Sequence, residues 1–162
     1  SREGRWGTPP AEQPIGKGNG TTDQDLRDHG PSPHVVDIEQ ATLSNDTFRT
    51  TLWTGTKLQL TVMSIEPGGE IGLEAHPDRD QFLRVEAGRG RVRMGPSKDR
   101  PTFEHEVSDG WVILVPARSW HNVSNIGDEP LKLYSLYAPP EHPHGTVHRT
   151  KADADAAEHV AG

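Results

Sequence analysis

The chain has no cysteine among its 162 residues. That excludes disulfides and thiolate metal sites, and leaves nitrogen and oxygen as the only side-chain donors for a metal. It also lacks any apolar run near the ~18 residues that a membrane-spanning helix needs. No signal-like apolar stretch opens it, so a cytoplasmic location is expected and a membrane is not. Positive charge is in deficit: 17 Lys and Arg stand against 24 Asp and Glu, a net charge of -7. A phosphate backbone needs a basic footprint, which argues against nucleic acid as a partner. Hydrophobic residues are scarce at 31%, and no internal repeat is evident.

What is abundant is turn chemistry, with 17 Gly and 14 Pro. One compact core flanked by irregular polar segments accounts for both features at this length. Residues 1–33 carry isolated apolar side chains such as Trp6, Ile15 and Leu26 without period, and read as an irregular N-terminal tail. Residues 34–140 read differently. Eight short stretches there are rich in β-branched and aromatic residues: Phe48–Trp53, Leu58–Ile65, Phe82–Val85, Arg91–Met94, Phe103–Val107, Val112–Val115, Trp120–Ser124 and Leu131–Tyr137. Gly, Pro, Asn and Asp separate them at hairpin intervals, and several alternate between apolar and polar residues. An all-β fold follows, as an antiparallel sandwich or barrel. Residues 141–162 form a polar C-terminal tail, His-rich at first and then rich in Ala, Asp and Glu, with a short helix or tail at its end.

The segment Gly68–Gly88 carries the candidate chemistry. If 71–76 is a strand, Glu74 and His76 share one face. Pro77–Asp80 then reads as a four-residue hairpin loop that sets Gln81 opposite His76. A carboxylate, an imidazole and an amide oxygen converge, which is a ligand set for a divalent metal. A second segment, Gly110–Asn125, reads as strand, Pro-started turn and strand, and places His121 in a sheet where it can join the others. His142, His144 and His148 fit no metal-ligand spacing and are read as tail residues. Tyr137 and Trp53 are the aromatics placed to line a pocket mouth.

These two segments resemble the paired motifs of the cupin superfamily, G-x5-H-x-H-x3-4-E-x6-G and G-x5-P-x-G-x2-H-x3-N. Gly68, Glu74 in place of His, His76, Gln81 in place of Glu, and Gly88 match the first; Gly110, Pro116, Arg118 in place of Gly, His121 and Asn125 match the second. The resemblance implies a single cupin-type antiparallel β-barrel, or jelly roll, holding one divalent transition metal (Mn, Fe, Ni, Co or Zn) on Glu74, His76, Gln81 and His121. It implies a small-molecule ligand and a homodimer paired through strand edges. Single-domain cupins of this kind are grouped with mannose-6-phosphate isomerase-like proteins. Sugar isomerase-like chemistry, with the metal polarising a carbonyl or hydroxyl and Glu74 as base, is therefore one expectation. A metal-anchored binding module for a sugar or organic acid is another, and a non-haem metal dioxygenase a third. Gln81 cannot take a proton, so base catalysis from that position is excluded.

Overall fold

The computed structural model describes residues 25–160, and the tail residues before Asp25 lie outside it. The chain forms β1 (Arg49–Thr54), β2 (Gln59–Ile65), β3 (Asp80–Ala87), β4 (Arg89–Gly95), β5 (Phe103–Ser108), β6 (Val112–Val115), β7 (Trp120–Asn125), β8 (Leu131–Ala138) and β9 (Val147–His148). Helix α1 (Ile38–Ser44) precedes them and α2 (Lys151–Val160) follows. Two antiparallel sheets face each other, ordered β6-β3-β8-β2-β1-β9 and β5-β4-β7. This is the expected all-β barrel with a short C-terminal helix. The expectations had no counterpart for α1. Its seven residues are too few to show a helical period, but Asp37 caps it by accepting from the Gln40 amide at 3.1 Å. No helix among the described residues is long and apolar enough to cross a membrane.

Strand parity sorts the interior into two ends. Register places Gln59, Thr61, Met63 and Ile65 of β2 opposite Tyr137, Ser135, Leu133 and Leu131 of β8, and all eight are buried. Gln81, Leu83 and Val85 continue the same rows on β3. One end is apolar, where Met63, Ile65, Val85, Leu131 and Leu133 pack against Val92, Val107 and Val123 of the facing sheet. The other end is polar, with Gln59, Thr61, Gln81, Ser135 and Tyr137 all buried. Buried polar groups are costly unless partnered, so a polar end to a barrel marks a place where something is held.

The segments outside the strands are fastened to this frame. The Asp28 carboxylate accepts from the amides of Gly30, Thr54 and Gly145, joining the N-terminal segment to the C-terminal one across β1. The Gln59 amide group accepts from the Glu141 and His142 amides and donates to the His142 carbonyl, so the chain after β8 lies over the polar end. Beyond it, Ala154 of α2 is buried in the core.

The hairpin expected at 71–81 is not formed. Residues 68–74 instead run antiparallel to β7, with Glu74 opposite His121, and Gln81 lies between Val115 and Tyr137 in the other sheet. Pro77 has no N–H to donate to a hairpin ladder, and Gly72 sits at φ 116°, a conformation that breaks regular pairing. The chain therefore crosses between sheets at 75–79. The β6–β7 turn receives this crossing, since the Arg118 amide donates to the His76 carbonyl at 2.8 Å.

Arg118 itself sits at φ 72°, where the matching cupin position is glycine. A non-glycine residue there costs roughly 1–2 kcal/mol. Its side chain is exposed, so Arg118→Gly removes strain without opening a cavity. The variant is expected to be about 1 kcal/mol more stable by urea denaturation. An unchanged or lowered midpoint would contradict this.

Candidate metal centre

Two segments deliver the cluster. Glu74 ends the stretch paired with β7 and His76 follows in the sheet crossing, while His121 comes from β7 itself. Backbone bonds tie Glu74 and His121 in both directions, at 3.0 and 2.9 Å. The donor atoms of Glu74, His76 and His121 all lie within 4.8 Å of one another. Glu74 Oε1 stands 3.3 Å from His76 Nε2 and 3.6 Å from His121 Nε2. The two rings tilt towards each other with centroids 5.5 Å apart.

The outer ring nitrogens fix which inner atom is free. His121 Nδ1 lies 3.0 Å from the Ser119 carbonyl, an acceptor that requires the proton to be on Nδ1. His76 Nδ1 lies 3.3 Å from Glu141 Oε2. Both Nε2 atoms are buried without a hydrogen-bond partner. A lone pair on Nε2 with N–H on Nδ1 anchored outward is how metal-ligating histidines are held. Glu141 is in turn gripped by Arg79, whose Nη1 also donates to the Pro140 carbonyl at 2.7 Å.

Charge is arranged to match. Burial would lift the Glu74 carboxyl, but the approach of His121 and His76 outweighs it and holds Glu74 well below the usual carboxylate range. Burial opposes charging of His76, yet Glu74 and Glu141 beside it raise its pKa above the ordinary value. Burial also raises Glu141, against the pull of His76 and Arg79. The site is a pre-ionised carboxylate between two imidazoles, and a divalent cation is the natural occupant of such a set.

Gln81 is buried at the polar end, where its Nε2 donates to Ser135 Oγ at 2.8 Å. Its Oε1 has no partner, so the amide is turned to leave an oxygen free. Tyr137 is buried with its ring edge-on to His76, centroids 5.9 Å apart, and burial pushes its hydroxyl up to about 12. Trp53 is not at this site, since its Nε1 donates to the Ser32 carbonyl at 2.7 Å.

Sequence reasoning missed Glu141, Arg79 and His142. All three lie on segments that read as loop or tail. His142 stacks edge-on against Tyr137 at 5.2 Å, and its Nε2 is buried and unpartnered. Burial, aided by the Arg49 charge, pulls its pKa down to about 3.

Comparison with known proteins agrees with this fold. The cupin domain family matches residues 61–137. The uncharacterized protein YrkC of Bacillus subtilis is 62% identical over 133 residues, covering 82% of this chain and 72% of that protein. The crystal structure of BH2720 from Bacillus halodurans superposes with a TM-score of 0.80 at 61% identity, over 81% of this chain and 99% of that one. Oxalate decarboxylase OxdC of Bacillus subtilis is 31% identical over 77 residues, 47% of this chain and 20% of that protein.

Proposed function

This chain belongs to the cupin family, and from that premise we propose that it is a metal-dependent enzyme acting on a small polar molecule inside its barrel. In this reading Glu74, His76 and His121 hold one divalent transition metal, with Gln81 Oε1 as the fourth donor. The observation that carries it is the pair of buried, unpartnered Nε2 atoms facing one ionised carboxylate. A bound metal of this kind supplies Lewis acidity towards a carbonyl or hydroxyl oxygen. Glu141 orients His76, and the Ser119 carbonyl orients His121.

Sugar isomerase-like chemistry would ask Glu74 to move a proton. Its Oε1 already faces both imidazoles, so Glu74 serves as base only through its other oxygen. Glu141, with its raised pKa, is the better-placed carboxyl for proton exchange, while Tyr137 keeps its proton and can donate a hydrogen bond. The likeness to oxalate decarboxylase spans a fifth of that protein and supports a small polar ligand rather than its reaction.

Four protein donors leave room for an exchangeable ligand in a five- or six-coordinate ion, and catalysis needs that position. Water-proton relaxation of the manganese-loaded protein is the test. At least one rapidly exchanging water per metal is expected. A metal without exchangeable water would overturn the catalytic reading and leave the binding-module reading, which the cover of Glu141 and His142 favours.

The homodimer is proposed on an apolar face. Leu114, Phe82 and Leu136 are neighbours across β6, β3 and β8, and Leu58, Val112 and Leu114 are exposed at 42%, 42% and 67%. Helix α1 covers Leu60 and Tyr134 beside them, so the remaining patch continues to the β6 edge and suits a second copy. Light scattering should give the mass of two chains for the wild type and of one chain for Leu114→Glu. A monomeric wild type would contradict the assignment.

A further inference from the structure

The buried polar atoms without partners form two groups. His76 Nε2, His121 Nε2 and Gln81 Oε1 are accounted for by the metal reading. Arg84 Nε faces the Glu86 carboxylate at 3.3 Å, which leaves Arg49 Nε, Thr61 Oγ1 and His142 Nε2 unexplained among the described residues. We infer that Arg49, Thr61 and His142 form an anion subsite in the barrel interior, which takes the carboxylate of a small organic acid whose other polar group meets the metal. The inference rests on the metal reading for that second contact, and on Arg49 for the first.

Arg49 is the strongest single observation. It is only 3% exposed. Its parity on β1 matches Thr51, which is paired with Thr61 of the inward row of β2, so Arg49 lies on the inward face of the strand. Its guanidinium lies 5.2 Å from the Phe48 ring centre, and Nη1 is 3.4 Å from His148 Nδ1. Among the described residues no carboxylate forms an ion pair with it. Burying a guanidinium without a counter-charge is strongly unfavourable. The arrangement makes physical sense if a ligand brings the negative charge, and the planar fork is built for a carboxylate.

The other two groups give the subsite its donors and its place. Thr61 is fully buried on β2, opposite Ser135 and Thr51, and its hydroxyl is unused. His142 stays neutral and can donate from Nε2. The Gln59 side chain, two residues from Thr61 on the same face of β2, bonds the His142 backbone, and the His142 ring lies edge-on to Tyr137, which is itself edge-on to His76, so His142 stands one ring away from the metal cluster. One fixed positive charge with neutral donors matches one carboxylate; a phosphate dianion would call for a second cation.

The test titrates malonate and its uncharged analogue malonamide into the full chain, manganese-loaded and metal-free, for wild type, Arg49→Met, Arg49→Lys and Thr61→Val. Metal content is measured in parallel and reports on the metal reading alone. Malonate is expected to bind wild type at least about 10-fold more tightly than malonamide does. Arg49→Met should lose at least about 10-fold in malonate affinity while keeping its manganese. Lysine keeps the charge without the fork and should recover part of the loss, and Thr61→Val should weaken binding while preserving shape. In metal-free protein the affinity is lower but still depends on Arg49, so absence of metal would sink the metal reading and leave the subsite measurable. Ligand-free Arg49→Met should melt higher than wild type, because an uncompensated charge has gone. Equal malonate binding by wild type and Arg49→Met, or no preference for malonate over malonamide, would overturn the subsite.

Discussion

Alanine at His121 is expected to strip the metal from the protein while leaving the barrel folded. His121 is 3% exposed and enters from β7, the only member of the Glu74–His76–His121 cluster on a regular strand. Removing an outer partner of a ligating histidine typically costs 10–100-fold in metal affinity, so loss of the ligand itself should cost at least about 100-fold. His76→Ala should behave alike, whereas His105→Ala, on the exposed face of β5, should retain full metal. Stability gives a second readout. A metal present at ~1,000 times its Kd adds about 4 kcal/mol, or roughly 10 °C in melting temperature for a chain of this size. That increment should be present in wild type and His105→Ala and absent from both ligand variants. Equal metal content in wild type and His121→Ala would refute the ligand assignment.

His142 should make the metal-free protein acid-sensitive. Its pKa falls from the ordinary 6.5 to about 3 on folding, because burial and the Arg49 charge both disfavour its cation. The unfolded chain therefore takes up a proton near pH 6.5 that the folded chain refuses until about pH 3. In that window the unfolded state binds more protons, so stability falls as pH falls, by up to about 1.4 kcal/mol per unit. His76 acts with the opposite sign. Its pKa is raised in the fold, so its stabilising contribution is present below 6.5 and is lost as pH rises through the folded value. The metal-free protein is thus expected to be most stable near pH 6.5. Between pH 6 and pH 4, wild type should lose roughly 2–3 kcal/mol more than His142→Phe in urea denaturation. Parallel profiles for the two proteins would show that His142 is not held neutral.

Much of this architecture is legible in the sequence, and the gaps have physical reasons. All eight strand stretches from Phe48 to Tyr137 reappear within two residues at either end, because alternating burial writes a period of two. Strand parity sets Glu74 on one face with His76 and a hairpin would set Gln81 opposite His76, yet the pairing formed is Glu74 with His121. Glu74, His76 and His121 come together, but through a sheet crossing that local pattern cannot encode. Glu141 and His142 escaped because a polar, Pro-interrupted stretch looks like a tail; only long-range bonds from Gln59 bring it over the barrel. Arg49 left a faint trace. It shares parity with Thr51 on β1 and so falls on the inward face, where an unpaired charge is costly.

The most direct test is to locate the metal. Anomalous diffraction from crystals of metal-loaded wild-type protein, purified without a metal-affinity tag, should show one ion per chain. Its distances to His76 Nε2, His121 Nε2 and a Glu74 oxygen should be about 2.0–2.3 Å. An ion bound elsewhere, or imidazoles turned away from it, would contradict the account.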